Sequence, residues 1–589
     1  MPTVVGRRRG RRSVAQRLLD LCTPHWLARI LGLLGVVSLV SALTPAIRGR
    51  LRLVSEMLPV FAPAAARAGS AAVGVILLYL ASGVARRKQR AWAAAVCLSA
   101  LGTGLQLAKG LDIEEAALSA VVLVMLLAGR HHFTARADPR SGRHVVLTGL
   151  GALAAATVVG FALLTLQSRH EQTGVTPAER LEHTVLGLVG ITGPVRYTSA
   201  PPAAQADVVL IVLGSAALLT VLAVMLRPSG APHPLRPEEE AALRALIARN
   251  ADSLAYFALR RDRSVVFSRS GKAAVSYRAV GSVSLAGGDP LGEPDAWPGA
   301  IAAWLEEADR YGWRPAVLGA SEAGATAYSR AGLDALEIGD EAILEVDDFD
   351  LDGRRMRPVR QAVARVRRAG YHIRCDLVDD VDPRQRDEVA RAAEAWRDGS
   401  TERGFAMALG RFQDPADHGC VLVRALDAEG QLKALLHLVP WGTDGLSLDL
   451  MRRDRDVENG TVEAMVTALV AAAPSLGVAR VSLNFAVFRS VFERGERLGA
   501  GPILRLWRAV LLQLSRFWQI EALYRANAKY HPLWTPRFVC FREVRDLPVI
   551  GIAALRAEAF LHAPAWTRWL SGRAAIEEAS HRLHGGRQG

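Results

Sequence analysis

Apolar residues are spread unevenly along the chain. Six long apolar stretches, at 26–46, 64–85, 91–108, 113–129, 144–166 and 207–226, crowd the first 226 residues. Each runs to about 17–23 residues, close to the roughly 20 needed to cross a hydrocarbon core as a helix. Gly and Ala recur within them, which suits close helix packing in lipid. The stretch from Ile113 is the weakest, because Glu114 and Glu115 open it. The first stretch is too long for a signal peptide and is followed by more of the same. About six membrane helices are expected over 1–226.

Beyond a Pro-rich linker at 227–237 the pattern changes to short apolar runs bounded by turn residues, the signature of an α/β domain. The reading places a helix at 238–250 and strands at 264–267, 273–278 and 283–285. A helix at 296–311, a strand at 316–319, a helix at 322–331 and a strand at 342–346 follow. The order recurs: strands at 420–426, 432–440 and 446–451, a helix at 461–473 and a strand at 480–485. A meander, a helix and a further strand is the order of an acetyltransferase-like (GNAT) fold. Two such units in tandem are expected, at 238–350 and 351–545, with 546–589 as a tail. In that fold two neighbouring strands splay and substrate enters the gap. Asp449 and Asn484 end two otherwise apolar strands and would meet there.

Charge adds orientation. Arg and Lys gather at Arg7–Arg12, at Arg86–Arg90 and at Arg130–Arg143, in alternate loops, which would all be cytoplasmic. The loop carrying Arg48, Arg50 and Arg52 runs against the pattern. Six spans then leave both termini in the cytoplasm, with 167–206 outside and its apolar piece 185–195 re-entrant or interfacial. The expected protein is a multi-pass protein of the cell membrane whose soluble half faces the cytoplasm. The net charge of +14 favours anionic partners such as acidic lipid or RNA, although positive-inside loops account for part of it. Five dispersed cysteines without a CxxC read as reduced thiols, neither a disulfide framework nor a zinc site. No loop suited to a coenzyme A pyrophosphate stands out, and no cofactor or metal is expected.

Several segments together resemble a known family. They are Gly288-Asp289-Pro290, Arg357-Pro358-Val359-Arg360-Gln361 with Arg368-Ala369-Gly370-Tyr371, Glu402-Arg403-Gly404-Phe405, and Asp449-Leu450-Met451-Arg452 with Asn459-Gly460. Leu483-Asn484-Phe485, Ala528-Lys529-Tyr530-His531-Pro532-Leu533-Trp534 and Pro536-Arg537-Phe538 complete the set. Over about 265–545 the chain resembles the C-terminal domain of phosphatidylglycerol lysyltransferases, the multiple peptide resistance factor family. The run from Glu493 to Gly501 is most similar to its actinobacterial branch. The resemblance implies transfer of an aminoacyl group, lysyl by family, from aminoacyl-tRNA to the glycerol hydroxyl of phosphatidylglycerol. Such a product lowers the negative charge of the membrane. Six spans are fewer than in full-length relatives that also flip the lipid. Too few residues follow Leu547 for a fused lysyl-tRNA synthetase, so the donor would be charged elsewhere. Lipid, tRNA and membrane are the expected partners, and the chain could also form a homo-oligomer.

The reaction exchanges one ester for another, and positioning with oxyanion stabilisation can supply much of the rate. Asp449 could hold the donor ammonium or act as a base, and Arg452 could pair with a phosphate; the alternative is an internal ion pair closing a strand end. Asn484 could orient the carbonyl or the 3′ ribose, or simply satisfy loop backbone. Glu402 could bind the aminoacyl amine or be a solvated carboxylate. Arg357, Arg360 and Arg365 belong to a run of seven arginines from Arg354 to Arg368 without an acid. That run could contact tRNA phosphates or the membrane surface, or be an ordinary solvated face. Lys529 and Arg537, by resemblance, could bind a lipid or tRNA phosphate; otherwise they are cations near an aromatic cluster. The amphipathic stretch 503–520 fits a bilayer surface or a core equally well. His437 and His531 lack a Ser or Cys partner at diagnostic spacing. Asn459-Gly460 would shape the turn before Thr461, expected to cap the next helix. Two other readings share these residues: an aminoacyltransferase with another acceptor, such as a peptidoglycan precursor, and a non-catalytic lipid-binding or flipping protein.

Overall fold

The computed structural model describes residues 23–43, 63–109, 113–133, 141–168, 174–191, 193–226, 234–397, 404–412, 414–487 and 525–561. Glu402, the stretches 493–501 and 503–520, and the N-terminal arginines lie outside them. The chain divides into two compact units near residue 230.

The first unit is helical: α1 (Pro24–Leu43), α2 (Pro63–Ala85), α3 (Gln89–Lys109), α4 (Ile113–Ala128), α5 (Ser141–Leu166), α6 (Pro177–Leu188) and α7 (Ala200–Met225). All six apolar stretches fall on helices. Among the described residues, two segments are long and apolar enough to cross a bilayer, Val145–Leu166 and Ala203–Met225. The apolar piece from Val185 begins within α6, which a Thr176–Glu179 capping box starts.

The second unit contains α8 (Pro237–Ile247), β1 (Ser264–Phe267), β2 (Ala273–Val280), β3 (Val283–Gly287), β4 (Leu291–Gly292), α9 (Trp297–Tyr311), β5 (Arg314–Ala320), α10 (Glu322–Arg330) and β6 (Asp334–Glu345). It continues with α11 (Arg357–Arg368), β7 (His372–Leu377), α12 (Pro383–Ala395), β8 (Val421–Leu426), β9 (Leu432–Trp441), β10 (Gly445–Arg453), α13 (Thr461–Ala472), β11 (Arg480–Val487), β12 (Leu533–Phe541) and α14 (Leu547–Ala557). The strands form one sheet in the order β1-β2-β3-β5-β12-β6-β11-β10-β9-β8-β7, with β4 paired to β2. Each half holds one parallel pair, β3 with β5 and β10 with β11, in an otherwise antiparallel sheet.

Both faces of the second half are buried, as alternation requires. On β8 and β9, Leu422, Leu435 and Val439 join a core containing Val389 of α12 and Ile550 of α14. Val421, Val423, Leu436 and Leu438 point the other way, into a core with Val359 of α11 and Met465 of α13.

The tertiary structure corrects several readings. β12, placed by sequence in the second unit, pairs between β5 and β6 of the first half. The start of the expected tail forms α14, whose Ile550, Ala553 and Ala557 are buried. Gly460, not Thr461, is the N-cap of α13, at φ 101°, while the Thr461 hydroxyl donates to Glu458 O at 2.6 Å. A Cβ at Gly460 would lie 2.8 Å from Ala362 Cβ of α11. Gly460→Ala therefore combines a disfavoured φ with overpacking between α11 and α13. It is expected to destabilise the chain by about 2–4 kcal/mol, read as a lower thermal midpoint in detergent.

Candidate active site at the β10–β11 opening

β10 and β11 pair in register from Gly445 with Arg480 to Ser447 with Ser482, and no pairing continues beyond. At that level both strands lose register with their outer neighbours: β10 against β9 between Leu448 and Leu450, β11 against β6 between Ser482 and Phe485. The residues inside these irregularities are Asp449 on β10 and Leu483 with Asn484 on β11. Bulges re-aim side chains and end pairing, and here two of them open the sheet between adjacent strands.

Asp449 is enclosed. Its Oδ2 lies 2.8 Å from His437 Nδ1, and its Oδ1 accepts from Leu409 N at 2.6 Å. The two side chains are 5% and 2% exposed, so the pair is shielded from solvent. An ionised carboxylate only accepts, so neutral His437 carries its proton on Nδ1 and leaves Nε2 as the basic nitrogen. The Phe412 ring stands edge-on to this imidazole at 5.0 Å. Sequence reading missed His437. The available signal was a lone histidine in an apolar strand, 12 residues from Asp449 across a hairpin.

Asn484 adopts φ 69°, a left-handed conformation that Asn tolerates better than most residues. Its Nδ2 donates across the opening to Leu448 O at 2.5 Å, and its N donates to Ser482 Oγ at 3.2 Å. Its Oδ1 is buried without a hydrogen-bond partner among the described residues. One of the two Nδ2 hydrogens is engaged and the Oδ1 acceptor remains. The carboxamide is therefore suited to receive a hydrogen bond from an ammonium or a hydroxyl.

The other candidates are dispersed. Arg452, three residues past Asp449, is partly exposed and donates to Met451 O at 3.1 Å. Lys529 pairs with Glu463 of α13. Arg357 and Arg365 are exposed on α11, while Arg360 donates to Gly353 O at 2.8 Å and to Leu351 O. Val359, Ala362 and Val366 bury the opposite face of that helix, leaving the arginine face outward.

Arg537 departs most from expectation. It is 3% exposed and its donors are occupied, so it is not presented to a phosphate. Nη1 donates to Asp252 Oδ1 at 2.7 Å and Gly319 O at 3.1 Å, Nε to Glu341 Oε2 at 3.0 Å, and Nη2 to Ser253 Oγ at 2.6 Å. Glu341 also accepts from Ser482, next to the β11 irregularity. Asp289 lies beside this network and accepts from Ser321 N at 2.8 Å. Burial, together with the neighbouring Asp252, pushes its carboxyl up to about 7. An acid raised in the folded state loses its proton first in the unfolded chain. Folding stability should therefore fall as pH rises from about 4, the unfolded value, to about 7. Asp289→Asn is expected to flatten that decline, by up to about 3 kcal/mol between the two ends, in denaturant midpoints compared at either end.

Residues 244–541 match the family described as phosphatidylglycerol lysyltransferase, C-terminal. The chain belongs to the phosphatidylglycerol lysyltransferase family. Residues 21–226 match a second family, the transmembrane region of lysyl-tRNA synthetase, and with the two apolar helices this associates the chain with a membrane. The lysylphosphatidylglycerol biosynthesis bifunctional protein LysX of Rhodococcus opacus is 42% identical over 572 residues, 95% of this chain and 50% of that protein. The protein of the same name from Mycobacterium avium is 42% identical over 90% of this chain and 46% of its own length. The chain thus spans about half the length of these curated relatives. Among solved structures, L-PGS from Bacillus licheniformis aligns with 56% of this chain and 99% of its own at 22% identity and a TM-score of 0.49.

Proposed function

We propose that this chain is a membrane-embedded aminoacyltransferase that moves a lysyl group from charged tRNA to a glycerol hydroxyl of phosphatidylglycerol. The observation that carries the reading is the β10–β11 opening. Inside the family match it gathers a shielded carboxylate–imidazole pair and a carboxamide with a spare acceptor. The relatives' names supply the lysyl group and the lipid.

In the proposed step the lipid hydroxyl oxygen attacks the ester carbonyl carbon of the donor. His437 Nε2 takes the hydroxyl proton, and Asp449 stabilises the imidazolium that forms. The bond from the carbonyl to the ribose oxygen breaks, and the proton returns to that oxygen. Asn484 Oδ1 receives a hydrogen bond from the donor's ammonium or ribose hydroxyl. Arg357, Arg365 and their neighbours on α11 offer tRNA phosphates an unscreened cationic face. Arg452 and Lys529 serve as further phosphate contacts, and Glu402 as a contact for the aminoacyl amine. The first unit crosses the bilayer about six times, keeping the sheet in the cytoplasm with charged tRNA.

The test is mass spectrometry of lipids from a host lacking aminoacylated lipids, with and without the chain. A new phosphatidylglycerol species heavier by one lysyl group supports the reading. No new lipid, despite verified membrane expression and charged lysyl-tRNA, overturns it.

A further inference from the structure

Asp449 is held by Leu409 N, and Leu409 ends a strap, residues 404–409, that has no regular secondary structure. The strap is nevertheless interior: Phe405, Ala406 and Leu409 are at most 1% exposed. Its backbone groups need partners there, and three side chains supply them. Arg260 Nη1 donates to Gly404 O at 2.8 Å and to Ala408 O at 2.9 Å. Arg263 donates to Phe405 O and lies 4.1 Å over the Phe405 ring. Glu558, the residue after α14, accepts from Phe405 N at 2.7 Å and Ala406 N at 3.2 Å, and its own carbonyl accepts from Gly404 N at 3.4 Å. Arg260 and Arg263 come from the first half of the sheet domain. Glu558 comes from beyond the residues matched to the family, which end at 541.

We infer that Glu558 is a positioning residue for Asp449, acting through the 404–409 strap, and that the segment around α14 is thereby part of the active site's support. The chain of contacts is continuous: the Glu558 carboxylate to the Phe405 and Ala406 N–H groups, along the strap to Leu409 N–H, and from there to Asp449 Oδ1. Without Glu558, two buried N–H groups lose their acceptor, and the strap must move to find another. Leu409 N–H then leaves Asp449. A carboxylate that loses a hydrogen bond to its charged form becomes easier to protonate. Among the described residues, the titratable and charged groups facing Glu558 are Arg260 and Arg263, and those facing Asp449 are His437, Arg260 and the Cys420 thiol. None of them replaces the lost N–H.

The inference rests on the transfer reading for its kinetic arm only. Glu558→Ala and Glu558→Gln would be made in the full chain in lipid nanodiscs. The readouts are lysyl transfer across pH, the thermal midpoint, and the NMR titration of the ¹⁵N-labelled His437 ring, assigned with His437→Gln. In Glu558→Ala, kcat is expected to fall at least about tenfold with KM for donor and lipid little changed. The acid limb of the pH profile should move upward and the His437 titration should shift. Glu558→Gln keeps one acceptor and should lie between Ala and wild type. An acid limb and a His437 titration that stay in place while the thermal midpoint falls would reduce Glu558 to a structural role and overturn the inference. If wild type transfers no lysyl group, the transfer reading fails, and the His437 titration still decides whether Glu558 reaches Asp449. If the Ala variant does not fold, Gln decides alone.

Discussion

Asp449→Asn is expected to lower lysyl transfer by at least about 100-fold while leaving the chain folded and in the membrane. The change is isosteric, and its remaining oxygen can still accept from Leu409 N. The amide group, however, now faces His437 Nδ1 as a donor. The imidazole must respond by accepting at Nδ1 and carrying its proton on Nε2. That is the wrong tautomer for taking a proton from the lipid hydroxyl. Tautomer inversion in a comparable carboxylate–histidine pair costs up to about 10⁴-fold, so the expected loss is large without any loss of packing. Lipid mass spectrometry and a thermal midpoint on the same membrane preparation check both halves. Undiminished transfer by this variant would remove the pair from the chemistry.

The largest effect on stability is expected at Arg537. Replacing it with Met keeps most of its length and deletes the charge. Asp252 and Glu341, whose side chains are 2% and 1% exposed, would be left facing each other in the interior. Breaking a buried ion pair from one side typically costs about 3–5 kcal/mol, because the remaining charge is uncompensated. Two carboxylates share this guanidinium, so the upper part of that range is expected. Arg537→Lys should recover only part, since a point charge cannot serve Asp252, Glu341, Ser253 and Gly319 at once. Adding Glu341→Gln to the Met variant should restore some stability by removing one orphaned charge. Denaturant or thermal unfolding of the detergent-solubilised chain measures all three. A Met variant as stable as wild type would show that this network is not what ties β12 to β6.

Much of the fold was legible in the sequence. Strand β1 lies at its expected range 264–267, and the hairpin β9–β10 and helix α13 fall within a few residues of theirs. These features depend on side chains close together along the chain. The strands that escaped had local reasons. β12 contains Pro536, which argues against a strand interior, yet it pairs on both sides. β6 was read too short because Asp334, Glu337, Asp340 and Glu341 interrupt its apolar run. At the site, Asp449 and Asn484 were expected to end their strands, whereas both strands run on past them and the two residues sit at irregularities inside β10 and β11. The partner His437 escaped, because its motif has no diagnostic spacing, and Arg537 looked like a free cation because its counter-charges are remote in sequence.

The sequence by itself determined an apolar, helical first unit, a mixed α/β second unit, and the two polar residues, Asp449 and Asn484, that interrupt two otherwise apolar strands. Hydrophobic period and turn chemistry act over a handful of residues and can be read directly. Only the tertiary structure decided that β12 enters the first half of the sheet. It brought Arg537 to Glu341 across 196 positions and to Asp252 across 285, turning an expected phosphate contact into a buried ion network. It also carried Glu558 back to a strap 152 residues earlier. Those pairings are set by strand order and by the need to satisfy every buried charge and N–H, and neither is a property of any short stretch of the chain.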